Sequence, residues 1–201
     1  MKPVYKRILL KLSGEVLAGE KGSGIDFDTV TDICKVIKEC TDMGVQIGIV
    51  VGGGNFWRGR SSGTMDRTRA DHMGMLATVM NSLALQEALI QLGNDAVVMT
   101  ALDIQRVAVP FNKDEAVRLM ESGRTVIFGC GTGSPFFSTD SGAALRAAEI
   151  GADIFFKATN VDGGTTRSPV RLPVAQHSPQ MLTVYLTRIL TNLMTQSNSK
   201  P

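Results

Sequence analysis

Cysteine is scarce in this chain, and its spacing is uninformative. Cys34, Cys40 and Cys130 are odd in number and lack metal-ligand spacing, which excludes a disulfide framework and a zinc site. Free thiols in a reducing cytoplasm are the expectation. An excess of one charge is missing too: a net charge of +2 is too small for a nucleic-acid footprint. No apolar run approaches the roughly 20 residues that span a bilayer, and Lys2 to Leu12 lacks the length and the small-residue cleavage site of a signal peptide. Neither membrane nor nucleic acid is an expected partner. The sequence also contains no G-x-x-x-x-G-K-[ST], no complete G-x-G-x-x-G and no nucleophile elbow, so the P-loop, dinucleotide and hydrolase readings fall away. What is present, 201 residues that are 43% hydrophobic and 20% charged, is enough for a buried core in one domain or one and a half.

The chain is organised around Val50 to Gly59, where Gly52, Gly53 and Gly54 follow the strand-like run Val45 to Val51. Glycines at a strand end reach backbone angles closed to other residues and let main-chain N–H groups approach an oxyanion. Arg58 supplies a planar cation four residues on. By itself such a run is as readily only a turn. Upstream, Val4 to Leu12 reads as a first strand ending in Lys11-Leu12-Ser13-Gly14, so Lys11 is either a surface lysine or one reaching a phosphate at the strand's carboxyl end. Gly19 to Gly24, with three glycines in six residues, reads as a mobile loop. Asp26 caps a helix whose apolar face is Val30, Ile33, Ile37 and Cys40, and Gly44 stops it. Strand, helix and strand make a βαβ unit, hence a parallel sheet with ligands at its carboxyl edge.

A polar loop from Arg60 to Arg69 precedes a long helix opened by Asp71 and ended at Gly93, with Leu76, Val79, Met80, Leu83 and Leu89 as its inward stripe and its methionines as core filler. Asp71 is either that helix's cap or a carboxylate for sugar hydroxyls. His72 has no second partner in view. Ala96 to Met99 is a short strand, Asn112 with Glu115 gives a capping-box-like signal for a helix that Gly123 closes, and Thr125 to Phe128 is a further strand. It delivers a second special loop, Gly129 to Asp140, onto a helix over Ala143 to Ile150 that Gly151 stops. A glycine- and hydroxyl-rich loop feeding a helix N-terminus seats anions. Asp140 there is either a helix-stabilising charge or the holder of a lysine. Anion-type loops at neighbouring strand ends suit phosphoryl transfer between two phosphorylated ligands.

Five blocks in order, Lys11 to Gly14, Gly52 to Gly59, Asp71 to Thr78, Gly131 to Asp140 and Lys157 to Gly163, resemble bacterial UMP kinase (uridylate kinase) of the amino acid kinase family. The resemblance covers residues 1–163. It implies an α/β fold, three-layer αβα with a mainly parallel sheet, and ATP-dependent conversion of UMP to UDP with Mg²⁺. It implies Lys11, Arg58 and Asp140 as catalytic residues: Lys11 stabilising the transferred group, Asp140 orienting it and Arg58 bridging the phosphates. Lys11, Leu12, Ser13, Gly14, Gly54, Arg58, Thr159 and Asn160 would face ATP. Gly53, Asp71, Thr132, Gly133, Ser134, Pro135, Phe136, Phe137, Ser138 and Thr139 would hold UMP, with Ser134 standing where the family usually has Asn. Gly19, Glu20, Lys21, Gly22, Ser23 and Gly24 resemble the segment tied to GTP activation. No metal ligand set is implied in the protein itself. A homo-hexamer, GTP as activator, UTP as inhibitor and a cytoplasmic location complete the family expectation.

Past Gly163 the likeness ends. No Asp or Glu follows Asp162 and no Gly follows Gly164, although the chain holds 19 acids and 21 glycines up to those points. The positions that would carry an aromatic residue and an aspartate for ATP are Thr165 and Ser168. Residues 164–201 therefore read as a divergent, partly helical tail with a stripe from Leu182 to Leu193, and the nucleotide-binding part as truncated or altered. The alternative function is a catalytically defective remnant that binds UMP. A carboxylate-phosphorylating kinase would need a site that Asp71 to Asn81 does not suggest.

Overall fold

The structure, a computed structural model, describes residues 3–58, 63–159 and 171–173. Strand β1 (Arg7–Leu12) leads into a single helical turn, α1 (Gly14–Leu17). Helix α2 (Phe27–Asp42) and strand β2 (Gln46–Val51) complete the first crossover. There follow α3 (Arg67–Gln91), β3 (Ala96–Thr100), the short β4 (Val109–Pro110), α4 (Lys113–Glu121), β5 (Thr125–Gly129), α5 (Thr139–Glu149), β6 (Ile154–Thr159) and β7 (Arg171–Pro173). The strands form a seven-stranded sheet in the order β4-β3-β5-β2-β1-β6-β7, and all its pairs are parallel. The three-layer αβα architecture is as the sequence implied.

Side chains alternate across a strand, so each face of the sheet builds its own core. Ile8, Leu10, Leu12, Ile47, Ile49 and Val51 pack with Ile33 and Ile37 of α2 and Leu85 and Leu89 of α3. Leu9, Val50, Val126 and Phe128 pack on the opposite side with Leu119 and Met120 of α4 and Ala143 of α5. Lys11 has the parity of Leu9 and therefore points toward the α4/α5 layer. Its register partner on β6 is Lys157.

Local signals account for the helix ends. Asp26 accepts from the amides of Asp28 and Thr29, Asn112 from Glu115, and Gly44, Gly93, Gly123 and Gly151 leave their helices with positive φ. Several expectations need correction. Helix α3 begins at Arg67, capped by Asp66, so Asp71 lies beyond its first turn and is no cap. Helix α5 begins at Thr139, capped by Ser138, not at Ala143. Gly19 to Gly24 is not a loose loop: Gly19–Lys21 form a 3₁₀ turn, and Gly24 exchanges hydrogen bonds with Asn55 in both directions. The methionines divide, because Met75 is buried while Met73 and Met80, with Leu76, stand exposed. Helical period locates a stripe but not the side of the helix that meets the core.

By length and composition α3 could cross a membrane, the one such helix among the described residues, yet 56% of its apolar window is buried inside the protein. All three cysteines are buried and free, and burial pushes the thiols of Cys34 and Cys40 up to about 12. The stripe from Leu182 to Leu193 lies outside the described residues.

Candidate active site

The carboxyl ends of β1, β2, β5 and β6 meet at one edge of the sheet. The first loop there is held by contact. Gly52 N–H donates to Leu12 O at 2.9 Å, and Ser13 N–H to Ala158 O at 3.3 Å, tying three strand ends together. None of Gly52, Gly53 and Gly54 has positive φ, which corrects the expectation of unusual backbone angles. Gly53 and, less tightly, Gly52 are glycine for lack of space, whereas a Cβ on Gly54 would meet only the tip of Glu15. A Cβ on Gly53 would stand 2.8 Å from both Ala77 Cβ and Gly74 O, so α3 lies directly on the turn. Trp57 fastens it by donating from Nε1 to Ala70 O at 2.9 Å. The amides of Gly53 and Gly54 donate to no described residue and remain available to an anion.

Beneath the turn, Asn55 and Asn81 form a buried amide pair at 2.9 and 2.7 Å, and Asn81 also donates to Gly52 O at 2.7 Å. All of these polar groups are paired, so the pair stiffens the turn without leaving an orphan donor. The sequence offered no sign of it.

The second loop, Cys130 to Ser138, is gripped by α3 at two points. Thr78 Oγ1 accepts the Cys130 N–H at 2.8 Å, and Asp71 Oδ2 accepts the Phe136 N–H at 2.7 Å. Both gripped residues adopt positive φ, 64° and 71°. A cleft between helix and loop is lined by Asp71, Gly74, Thr78, Thr132, Ser134 and Phe137, and continues to Ser138 and Thr139 at the start of α5. Thr132 and Ser134 bond to each other across the turn at 3.2 Å. Burial alone would raise the Asp71 carboxyl; the Phe136 amide, then the Arg67 hydrogen bond and charge, hold it below the ordinary range. Behind the loop, Arg146 stacks 3.7 Å over the Phe111 ring, pairs with Glu149 and reaches Gly131 O.

Where the loop enters α5, Asp140 receives two lysines. Lys11 Nζ stands 2.9 Å from Oδ1, at an angle too poor for a hydrogen bond, while Lys157 Nζ donates to Oδ2. The reason is elementary. Parallel register sets Lys11 beside Lys157 on one face, like charges side by side repel, and the carboxylate between them offsets that repulsion. Burial is the largest influence on Asp140 and would raise its pKa, but the hydrogen bond from Lys157 and then the adjacent Lys11 ammonium bring it below the usual value. Lys11 is 8% exposed, so its charge is fixed in a poorly hydrated place at the sheet edge.

The structure thus unites Lys11 with Asp140, and Asp71 with the Thr132 to Thr139 loop. Arg58 joins neither group; it reaches across to Glu15 at 2.5 Å, beside Gly54 at the mouth of the first loop. Thr159 ends β6, and Asn160 lies outside the described residues. Lys157, Thr78 and Glu15 were missed as site residues. Lys157 alone had a usable signal, a second cation at a strand end in the same sheet. Among the described residues no three His, Cys, Asp or Glu side chains form a metal cage.

Residues 6–181 match the model of the amino acid kinase family, past the residue-163 limit of the resemblance noted in the sequence. Among solved structures the chain is similar to the UMP kinase from Bacillus anthracis, at 38% identity and TM-score 0.76 over 82% of this chain and 69% of that one. The UMP kinase from Ureaplasma parvum matches at 37% identity and TM-score 0.73, over 80% and 67% of the two chains. The uridylate kinase from Archaeoglobus fulgidus matches at 30% and 0.58, over 82% and 68%.

Proposed function

The chain belongs to the amino acid kinase family, and on that footing we propose that it transfers the γ-phosphoryl group of ATP to UMP, giving UDP and ADP for pyrimidine nucleotide synthesis. The observation that supports this most directly is the Lys11–Asp140–Lys157 cluster, set at the sheet edge between two glycine-rich loops. Phosphoryl transfer asks little covalent chemistry of the protein, so fixed positive charge and positioning carry it. The attacking atom is an oxygen of the UMP phosphate, already ionised at neutral pH. A bond forms from it to the γ-phosphorus, the bond to the bridging oxygen breaks, and ADP leaves with that electron pair. No general base is needed, and His72 has no role in the step.

Each residue then has a place. Lys11 neutralises charge on the transferred group, and Asp140 holds Lys11 there. Gly53 and Gly54 offer amides to the UMP and ATP phosphates, Arg58 exchanges Glu15 for phosphate oxygens, and Gly14 leaves room for ATP, which Leu12, buried in the core, and Ser13 face through their backbone. Asp71 accepts from the ribose of UMP while Thr132 to Thr139 hold its base and phosphate. Thr159 and Asn160 face the ATP nucleoside. Among the described residues no His, Cys, Asp or Glu cluster would hold Mg²⁺; bound together with ATP it would supply further neutralisation of phosphate charge. Asp140, engaged by both lysines, would not be free to hold it.

Gly19 to Gly24 answers to GTP through Asn55, which bonds Gly24 on one side and the Asn81–Gly52 system on the other; UTP opposes it. The purified chain, given ATP, Mg²⁺ and UMP, should release ADP and form UDP in a coupled assay. UMP binding by calorimetry without ADP release would instead favour a defective UMP-binding remnant, the reading that the acid-free stretch after Asp162 supports.

The assembly is a homo-hexamer. Met73, Leu76, Met80 and Ile90 leave an apolar stripe exposed along α3, and such a stripe calls for a partner helix. Sedimentation should find a multiple of the 21.5 kDa chain, and Leu76→Lys with Met80→Lys should shift it toward monomer.

A further inference from the structure

Arg67 is badly placed for a residue whose only task is to stabilise a helix. It occupies the first position of α3, whose first turn contains no acid, so its charge opposes the helix macrodipole. Its pairing with Asp71 at i,i+4 runs in the less favourable order, with the cation N-terminal. The geometry around it serves something else. Arg67 Nε reaches both Asp71 oxygens, at 2.8 and 2.9 Å. The same carboxylate accepts the Phe136 N–H from 65 residues away, and the Arg67 guanidinium carbon lies 5.6 Å from the centre of the Phe136 ring. Arg67, Asp71 and Phe136 therefore close a triangle. Its third corner is a non-glycine residue at φ 71°, a conformation that needs outside support.

The geometry points to Arg67 as a positioning residue for the acceptor subsite, acting through Asp71 and Phe136 to set which ribose hydroxyls that subsite accepts. This rests on the reading that Asp71 receives the ribose of UMP. A carboxylate has about four acceptor directions. Arg67 and Phe136 occupy up to three of them, and what is left on Oδ1 can take a hydroxyl from the cleft. Arg67 fixes the carboxylate plane, which makes that direction constant, and its stack on Phe136 keeps the loop closed over the sugar. A subsite of this kind disfavours an analogue lacking the hydroxyl, because the remaining acceptor direction on the half-buried Asp71 carboxylate then loses its donor.

The test uses the whole chain with Arg67→Met, which keeps the stem but removes donor and charge, and Arg67→Lys, which restores charge without the planar fork. UMP and dUMP are the acceptors. The expected result for Arg67→Met is a UMP KM raised about tenfold, the size of one lost charge-assisted hydrogen bond, with kcat at saturation and the ATP KM unchanged. The preference for UMP over dUMP should shrink by a similar factor. Arg67→Lys should recover part of both. An unchanged UMP KM and UMP/dUMP ratio in Arg67→Met would overturn the proposal while leaving the function intact. Equal losses in kcat, ATP KM and thermal stability would also overturn it, since they mark a structural role. Failure of the unmodified chain to bind UMP in calorimetry would remove the parent reading and this one together, and is recognisable because it needs no variant.

Discussion

Lys11→Ala should lower UDP formation by roughly 10²–10³-fold, the range seen when one preorganised charge or donor is taken from a transition state, with the fold retained. The loss belongs in kcat, since in the proposed mechanism Lys11 acts on charge that develops during transfer and not on either nucleotide at rest. Retention of the fold follows from the geometry. Asp140 keeps Lys157 when Lys11 is gone, so no carboxylate is left buried and alone. Asp140→Asn makes the complementary test: it removes the charge between two neighbouring cations, so both activity and stability should fall.

The same cluster sets an acid limit. The carboxyl of Asp140 lies below its ordinary value in the folded protein, so its contribution to stability is present above the unfolded carboxylate range near pH 4 and is lost as pH falls through the lowered folded value. Lys11→Ala removes one of the groups that depress it, so acid unfolding should begin at a higher pH. Urea midpoints between pH 3 and pH 6 measure this. Equal activity in Lys11→Ala and the unmodified chain would remove the lysine from the chemistry.

Gly14→Val should disable the protein by a different route. A Cβ at Gly14 would stand 2.5 Å from Gly52 O, 2.6 Å from Asn55 Oδ1 and 2.9 Å from Gly52 C. Two of those atoms are backbone, and Gly52 is itself tied to Leu12 and Asn81, so nothing can give way without moving the end of β2. Overpacking of this kind costs about 3 kcal/mol or somewhat more, and the displaced turn carries the amides of Gly53 and Gly54 with it. Both the urea midpoint and UDP formation should drop. Gly74→Ala is the contrast, because its Cβ would meet only Trp57 Cδ1 at an ordinary 3.8 Å, in the interior of α3. There alanine should raise stability by up to about 1 kcal/mol. Like costs at the two positions would show that helix propensity, not close approach, governs these glycines.

Much of the fold was legible because its causes are local. Asp26 and Asn112 announce helices through a side chain that reaches two or three residues along, and Gly44, Gly123 and Gly151 end them through their own φ. Where two local causes compete, the sequence misleads. Asp71 is a plausible cap by position, and only the first turn of α3 shows that Asp66 holds that role. Leu76 and Met80 fit the period of a buried stripe as well as the residues that are truly inside, but period is silent on direction.

The amino-acid order by itself determined β1, α2, β2, α3, β3, α4, β5 and α5, the parallel character of the sheet and glycine-rich loops at its carboxyl edge, because backbone period, caps and glycine turns act over a few residues; α1 and the strands β4, β6 and β7 were not legible in it. Tertiary structure alone decided that Lys11 and Lys157 share one carboxylate, that Asp71 and Thr78 grip a loop more than fifty residues distant, and that Arg58 faces Glu15. These are pairings between parts of the chain far apart in sequence. Strand register and the packing of α3 and α5 bring them together, and neither leaves a trace in the spacing of residues along the chain.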